Sequence, residues 1–282
     1  MKKLTKIFAL ILALAMTAAL FVGCKKDEAV KLSVLEDTFG EELYGIGFRN
    51  EDVAFGLKVQ EAFETVAASD AGKAIEQKWF GEDVILKDMP YIEEAEALPE
   101  DDSWTKIQEK GYFIVGLDAS YPPMGFVDDN NEIVGFDIDL AKEVATLLGV
   151  EVRFQPIDWD AKELELSSGN IDCIWNGMTI TDERIENMYF TKAYLANEQI
   201  IVVKDGSGIT DKASLSGKTV GTQAGSSSVD ALDAAPEVTA TFKELVTYAD
   251  FVAALEDLKI GRIDAVVIDS VVGYYILAQQ AG

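Results

Sequence analysis

The sequence predicts an α/β protein of two lobes. Strand-like and helix-like apolar patterns alternate from residue 31 to residue 279, and such alternation demands sheets with helices packed outside them. The run Ile200-Ile201-Val202-Val203 is apolar enough to pass between lobes as a buried strand. The last pattern, Val271 to Gln279, is a helix with no strand after it to return to the first lobe, and residues 31–49 are expected to supply that return.

The opening residues read as an export signal. Lys2, Lys3 and Lys6 precede an apolar run from Ile7 to Val22 that stops at Gly23-Cys24, the order of a cationic region, an apolar region and a small residue before a cut. At about 16 residues the run is short for a spanning helix, which needs about 20. Phe21-Val22-Gly23-Cys24 resembles a bacterial lipoprotein box, in which the cysteine is diacylated and becomes the first mature residue. That resemblance implies a signal peptide over 1–23, lipidation at Cys24, a tether over 24–30 and a lipid anchor on the extracytoplasmic side of the cell membrane.

Loss of residues 1–23 removes Lys2, Lys3 and Lys6 and leaves 21 basic against 50 acidic side chains. So large an acidic excess repels nucleic acid and anionic lipid. No nucleic-acid partner is expected, and a monomer is. Cys173 is the one thiol left, in the apolar run Ile171 to Trp175, where it reads as a small buried hydrophobe. Histidine is absent, which removes the commonest general base and zinc ligand. No metal, cofactor or catalytic residue is expected.

The elements follow in order. Lys31 to Leu35 and Tyr44 to Arg49 are two short strands with an acidic turn, Glu36 to Glu42, between them. Asn50 caps a helix whose apolar positions Val53, Leu57, Val59, Ala62, Phe63 and Val66 recur at helical spacing, and a second helix runs from Ala71 to Phe80. Residues 82–103, with Pro90, Pro99 and nine acidic side chains, are a connector with a helical stretch between Glu93 and Leu98. The chain then restarts with a short helix from Trp104 to Gly111, the strand Tyr112 to Gly116, a turn from Asp118 to Met124 stiffened by Pro122-Pro123, and a hairpin of Phe126-Val127 with Ile133-Val134. A helix from Ile138 to Leu148 and the strand Val150 to Phe154 complete a βαβ-like unit. A short helix ends at Gly169, then come the strand Ile171 to Trp175, a loop from Asn176 to Arg184, and strands at Met188–Thr191 and Ala196–Val203. The second lobe repeats the grammar: strand Thr219–Thr222, helix Ser227–Ala234, strand Val238–Phe242, helix Tyr248–Ile260, strand Ala265–Ile268 and the closing helix.

Several segments resemble the polar amino-acid solute-binding proteins of ABC importers. Residues 29–85, whose strand, strand, long helix, short helix order ends in Lys78-Trp79-Phe80-Gly81, look like the closing segment of that family, while Gly116 to Leu140, the Met178 to Arg184 loop and the Asp264 to Asp269 strand look like its body. The family's tail thus stands ahead of its head. The resemblance implies a two-lobed, periplasmic-binding-protein-like type II fold joined by a two-strand hinge and circularly permuted. Residues 31–41 and 198–282 would form lobe 2, and 42–197 lobe 1.

An α-amino acid presents a carboxylate and an ammonium. Arg184 suits the first, because a guanidinium offers two parallel N–H groups. The resemblance adds Thr179 and the backbone of Gly177 beside it, and brings Ser226 and Ser227, at a helix start whose free N–H groups favour anions, across from the second lobe. Asp269 matches the family's acceptor of the α-ammonium, while Asp264 belongs to a turn. Asp118, Tyr121 and Trp159 match positions around the ligand side chain, where two aromatic faces can sandwich a stem or cation. Asn176 stands where receptors for basic ligands often carry a small hydroxyl, so arginine, lysine, glutamine, cystine and histidine all stay open. The implied activity is binding of a polar or cationic L-amino acid and its delivery to an ABC permease. A secreted dehydratase of arogenate-like or prephenate-like acids and an amino-acid-sensing lipoprotein are the alternatives.

Overall fold

The chain divides into a short unit, Met1–Lys31, and a folded unit, Leu32–Gly282, to which every element named below belongs. The structure, a computed structural model, describes residues 30–90 and 101–281. The export signal, Cys24 and the expected helical stretch at Glu93 to Leu98 lie outside the described residues.

Strand β1 (Leu32–Arg49) leads into helices α1 (Val53–Ala67) and α2 (Asp70–Trp79). Then come α3 (Ser103–Lys110), β2 (Tyr112–Leu117), β3 (Ser120–Tyr121), β4 (Gly125–Val127), β5 (Ile133–Val134), α4 (Phe136–Leu148) and β6 (Glu151–Pro156). A single 3-10 turn at Trp159–Ala161 precedes α5 (Lys162–Ser167), β7 (Cys173–Thr179), α6 (Asp182–Asn187), β8 (Met188–Phe190) and β9 (Leu195–Lys204). The rest is β10 (Thr219–Gln223), α7 (Ser227–Asp233), α8 (Pro236–Thr239), β11 (Glu244–Tyr248), α9 (Phe251–Ile260), β12 (Ala265–Asp269) and α10 (Ser270–Ala281).

One sheet runs through both lobes in the order β11-β10-β12-β9-β1-β7-β2-β6, with β8 also paired to β1. In lobe 1, β2 lies parallel between β6 and β7; in lobe 2, β10 lies parallel between β11 and β12. The antiparallel pair β1 and β9 joins the two halves, with Leu32 opposite Lys204 in one lobe and Tyr44 opposite Leu195 at the other end. That pair is the two-strand hinge, and the first strand of the folded unit is half of it.

The two short strands expected over residues 31–49 are in fact one strand of 18 residues. The acidic stretch does not turn; it bulges. Between Val34 and Thr38 the strand spends four steps against two on β9, and between Thr38 and Glu41 three against two. A bulge bends a strand without ending it, and Gly40, at φ +128°, takes the backbone conformation that side-chain-bearing residues avoid.

Helix α1 buries Phe55, Val59, Phe63 and Val66 in the lobe 1 core. Phe55 stands edge-on to Phe48 at 5.3 Å and to Phe113 at 5.4 Å. Asn50 does not cap this helix. Asp52 occupies the cap position without a side-chain bond, and the free N–H groups of Ala54 and Phe55 donate instead to Asp101 Oδ2 and Ser103 Oγ, at 2.8 and 2.9 Å. The start of α3 therefore serves the start of α1, which ties the two sides of the connector together. Three further differences concern boundaries. The loop expected from Asn176 is strand as far as Thr179, and α6 begins at Asp182. Val238 to Phe242 is no strand: Pro236 opens the short helix α8, and the strand follows at Glu244. Tyr248 ends that strand rather than beginning a helix, because Asp250 accepts from Ala253 N at 2.7 Å and caps α9.

Candidate ligand-binding site

Strand β7 is buried along its whole length and carries Gly177 and Thr179 to the cleft. The Thr181 side chain then accepts from Arg184 N at 3.2 Å and starts α6, so Arg184 lies in a first helical turn folded back on the strand. It is not a surface arginine. It is 5% exposed, and its Nη1 donates to Thr179 O at 2.9 Å. Gly177 has φ +59°, and a Cβ there would lie 2.7 Å from the Tyr121 ring. Its N–H donates to Asp137 Oδ2 at 2.8 Å, and Tyr194 OH donates to the same carboxyl. Burial pushes the Asp137 carboxyl up to about 7, against the pull of those bonds.

From lobe 2, β12 ends at Asp269, which is 3% exposed. Its Oδ1 accepts from Tyr44 OH at 2.7 Å, Asn197 Nδ2 at 2.6 Å and Gln199 Nε2 at 2.9 Å. Burial first, and the charge of Glu42 second, hold its carboxyl well above the usual range. Strand β10 ends at Gln223, and the turn after it presents Gly225, Ser226 and Ser227.

The lobes meet here. Thr179 Oγ1 and Ser227 Oγ are 3.0 Å apart, Gln223 Nε2 donates to Asp118 Oδ2 at 2.7 Å, and Lys162 Nζ and Arg184 Nη2 both donate to Gly225 O, at 2.8 and 3.3 Å. The enclosed cavity has a volume of only about 10 Å³, room for one water at most. Anything larger enters only when the lobes part.

Tyr121, Trp159, Gly177, Thr179, Arg184, Ser226, Ser227 and Asp269 all line this cavity. Asp118 touches it through Gln223. Asn176 does not line it: its Oδ1 accepts from Asp118 N at 3.0 Å, so it positions Asp118 from behind. Asp264 accepts from Thr219 N at 2.9 Å, the turn role expected of it. The sequence reading missed Gln223, Glu42, Tyr44, Asp137 and Lys162. Gln223 ends a strand just as Asp269 does, and that signal was there to use; Glu42 was hidden by its place in an acidic run. A larger groove of about 530 Å³, between α1, α2 and residues 83–89, is open to the surface and contains none of the residues that line the cleft.

Residues 113–247 match the bacterial extracellular solute-binding proteins, family 3. A substrate-binding protein of an ABC uptake transporter from Streptococcus pneumoniae, solved with bound histidine, is 45% identical with a TM-score of 0.62, over 64% of this chain and 74% of that one. The chain belongs to this solute-binding family. A truncated arginine-bound ArgBP from T. maritima is 38% identical with a TM-score of 0.58, over 63% of this chain and 82% of that one. Among curated relatives, the L-cystine-binding protein TcyJ of Escherichia coli is 34% identical over 166 residues, 58% of this chain and 61% of that protein. The arginine-binding extracellular protein ArtP of Bacillus subtilis is 34% identical over 59% of this chain and 65% of its own length. This solute-binding protein thus spans under two thirds of those two relatives in the matched stretch.

Proposed function

We propose that this protein binds an L-amino acid with a polar or cationic side chain between its lobes and delivers it to the permease of an ABC importer, tethered through Cys24 on the extracytoplasmic face of the membrane. One observation carries the reading: Arg184 and Thr179 from one lobe and Ser227 and Asp269 from the other line a single cavity. Arg184 would take the carboxylate, with Thr179, Ser226 and Ser227 beside it, and Asp269 the ammonium. Tyr121 and Trp159 would flank the side chain. Acidic groups gather around Asp118, where Asp250 and Asp158 add their charge, and that favours a cationic tip. Relatives named for arginine, histidine and cystine support an amino-acid ligand. Membership in a family of binding proteins weighs against the dehydratase alternative.

Ligand that bridges the lobes stabilises the closed arrangement by its differential contacts. A thermal-shift screen of the twenty amino acids with cystine and ornithine tests this, since binding to the folded state raises its apparent stability. A shift with a cationic or amide amino acid is the expected result, and no shift with any of them rejects the reading.

The permuted order and the division into lobe 2 (31–41 and 198–282) and lobe 1 (42–197, with connector 82–103) are part of the same proposal. Two facts support it: β1 lies between β9 and β7, and the match to the histidine-bound protein leaves part of each chain uncovered. Joining Gly282 to Lys31 through a short linker and reopening the chain near Glu93 should yield a folded protein that binds the same amino acid. Loss of the fold would count against permutation.

A further inference from the structure

We propose that Glu42 is a positioning residue for Asp269: in the ligand-free protein their two carboxyls share one proton, and the ammonium group of an arriving amino acid takes that proton's place. The inference rests on the amino-acid reading of the cleft and adds to it a coupling between ligand and proton.

The geometry is that of a paired site. Glu42 Oε1 accepts from Asn197 Nδ2 at 2.6 Å and from Gln199 Nε2 at 2.9 Å. Those are the two nitrogens that also donate to Asp269 Oδ1, at 2.6 and 2.9 Å. Neither amide can turn over without loss. Asn197 Oδ1 accepts from Ser270 Oγ at 2.8 Å, and Gln199 Oε1 accepts from Ser228 Oγ, so both NH2 groups must face the acids. The same two NH2 groups thus hold Glu42 Oε1 and Asp269 Oδ1 side by side, a placement that a proton between the two acids would relieve.

The surroundings supply no charge to replace it. On β1 the neighbour is Tyr44 and on β3 it is Tyr121, the two phenols 2.8 Å apart; on β7 it is Thr179, whose hydroxyl donates to Glu42 at 3.0 Å; on β9 it is the two amides; on α7 it is Ser227, which accepts from Gln199. Arg184 on α6 lines the same cavity, yet its guanidinium donates to Thr179 O and Gly225 O. Asp269 is buried and Glu42 half-buried beside it, and two like charges held this close, with no cation among the described residues bonded to either, disfavour being ionised together. A primary ammonium changes that balance. With its positive charge against Asp269 both carboxyls ionise, the ammonium keeps its three protons, and the displaced proton passes to the solvent.

Binding should therefore release up to one proton per amino acid. Over the pH range in which the free pair holds its proton and the complex does not, affinity should fall about tenfold for each unit of acidification. The test is titration calorimetry of the full-length protein between pH 5 and 8, in buffers of different ionisation enthalpy, with L-arginine, L-histidine, L-glutamine and L-cystine as probes. The wild type should release a proton with whichever probe binds, and Glu42→Gln should bind the same probe with little release and a flattened pH profile. Binding without proton release in the wild type, or equal release in the variant, overturns the proposal. If none of the probes binds, the amino-acid reading fails for them and the shared proton is still decided by the infrared difference between ligand-free wild type and Glu42→Gln. A protonated-carboxyl C=O stretch present only in the wild type supports it, and the lack of such a difference overturns it.

Discussion

Gln223 Nε2 reaches across the cleft to Asp118 Oδ2 at 2.7 Å and is itself held in place by a second bond to Ala249 O at 3.0 Å. Asp118 thereby meets an amide from the other lobe where a ligand's side-chain tip would end. Burial pushes its carboxyl up to about 6, opposed by the bonds from Ser120 and Gln223. A cationic tip would offer this group more than the amide does. Asp118→Asn should weaken a cationic amino acid by about ten- to a hundredfold, the worth of a hydrogen bond to a charged group, and a neutral one by no more than a few-fold. Calorimetry with one ligand of each kind checks it, and equal losses would remove Asp118 from the specificity pocket.

Arg184 has two tasks. Its guanidinium holds Thr179 O and Gly225 O and is expected to hold the ligand carboxylate. Arg184→Ala should abolish measurable binding and cost some stability too, because buried carbonyls lose their donors. Arg184→Lys keeps the charge but not the fork, so it should recover stability better than affinity. Denaturation and calorimetry on both variants separate the tasks; retained affinity in Arg184→Ala would end the carboxylate assignment.

Gly225 is where lobe 2 docks on lobe 1. It has φ +64°, and a Cβ there would lie 2.6 Å from the Asp160 carboxyl and 2.9 Å from its Cα. Gly225→Ala adds backbone strain to the turn itself and a steric wedge against Asp160 that is absent when the lobes part. The variant should be more open in small-angle scattering and bind more weakly, with melting of the separate lobes little changed. Unaltered scattering would mean that this turn does not govern closure.

Acid should stabilise part of this protein. Asp137 holds its proton to about 7 in the folded state against 3.8 as its ordinary value, so the folded chain binds more protons than the unfolded one between those limits. Its contribution is therefore lost as pH rises from about 4 through 7, a slope opposite to that of a salt-bridged carboxylate. Asp137→Asn, similar in shape and without a titration, should flatten the fall by about one proton. Denaturant unfolding at several pH values between 4 and 8 measures it, and an unchanged slope would show that Asp137 is ionised in the fold.

Residues whose role is local were legible in the chain. Arg184 stood out because a guanidinium offers a carboxylate two parallel N–H groups, whereas Asp269, at the end of an apolar strand, was singled out by its match to the family's acceptor. Elements that depend on partners were harder to read. The acidic run Glu36 to Glu42 looks like a turn until β9 pairs beside it and absorbs the extra residues as bulges. Val238 to Phe242 has strand-like residues, but Pro236 fixes the first turn of a helix there. Asn176 lies next to Gly177 in sequence, yet its side chain turns to Asp118 N and only Gly177 of the two lines the cavity.

By itself the sequence determined the alternation of strands and helices and the return of residues 31–49 to the hinge, because periodicity is a property of short segments, while its resemblance to the solute-binding family pointed to most of the side chains that line the cleft. Tertiary structure alone decided that Glu42 faces Asp269 over shared amides, that Gln223 closes on Asp118 and that Lys162 and Arg184 meet at Gly225 O. Those pairings join residues 41 to 227 positions apart, and only the packing of one lobe against the other brings such distant groups within hydrogen-bond reach.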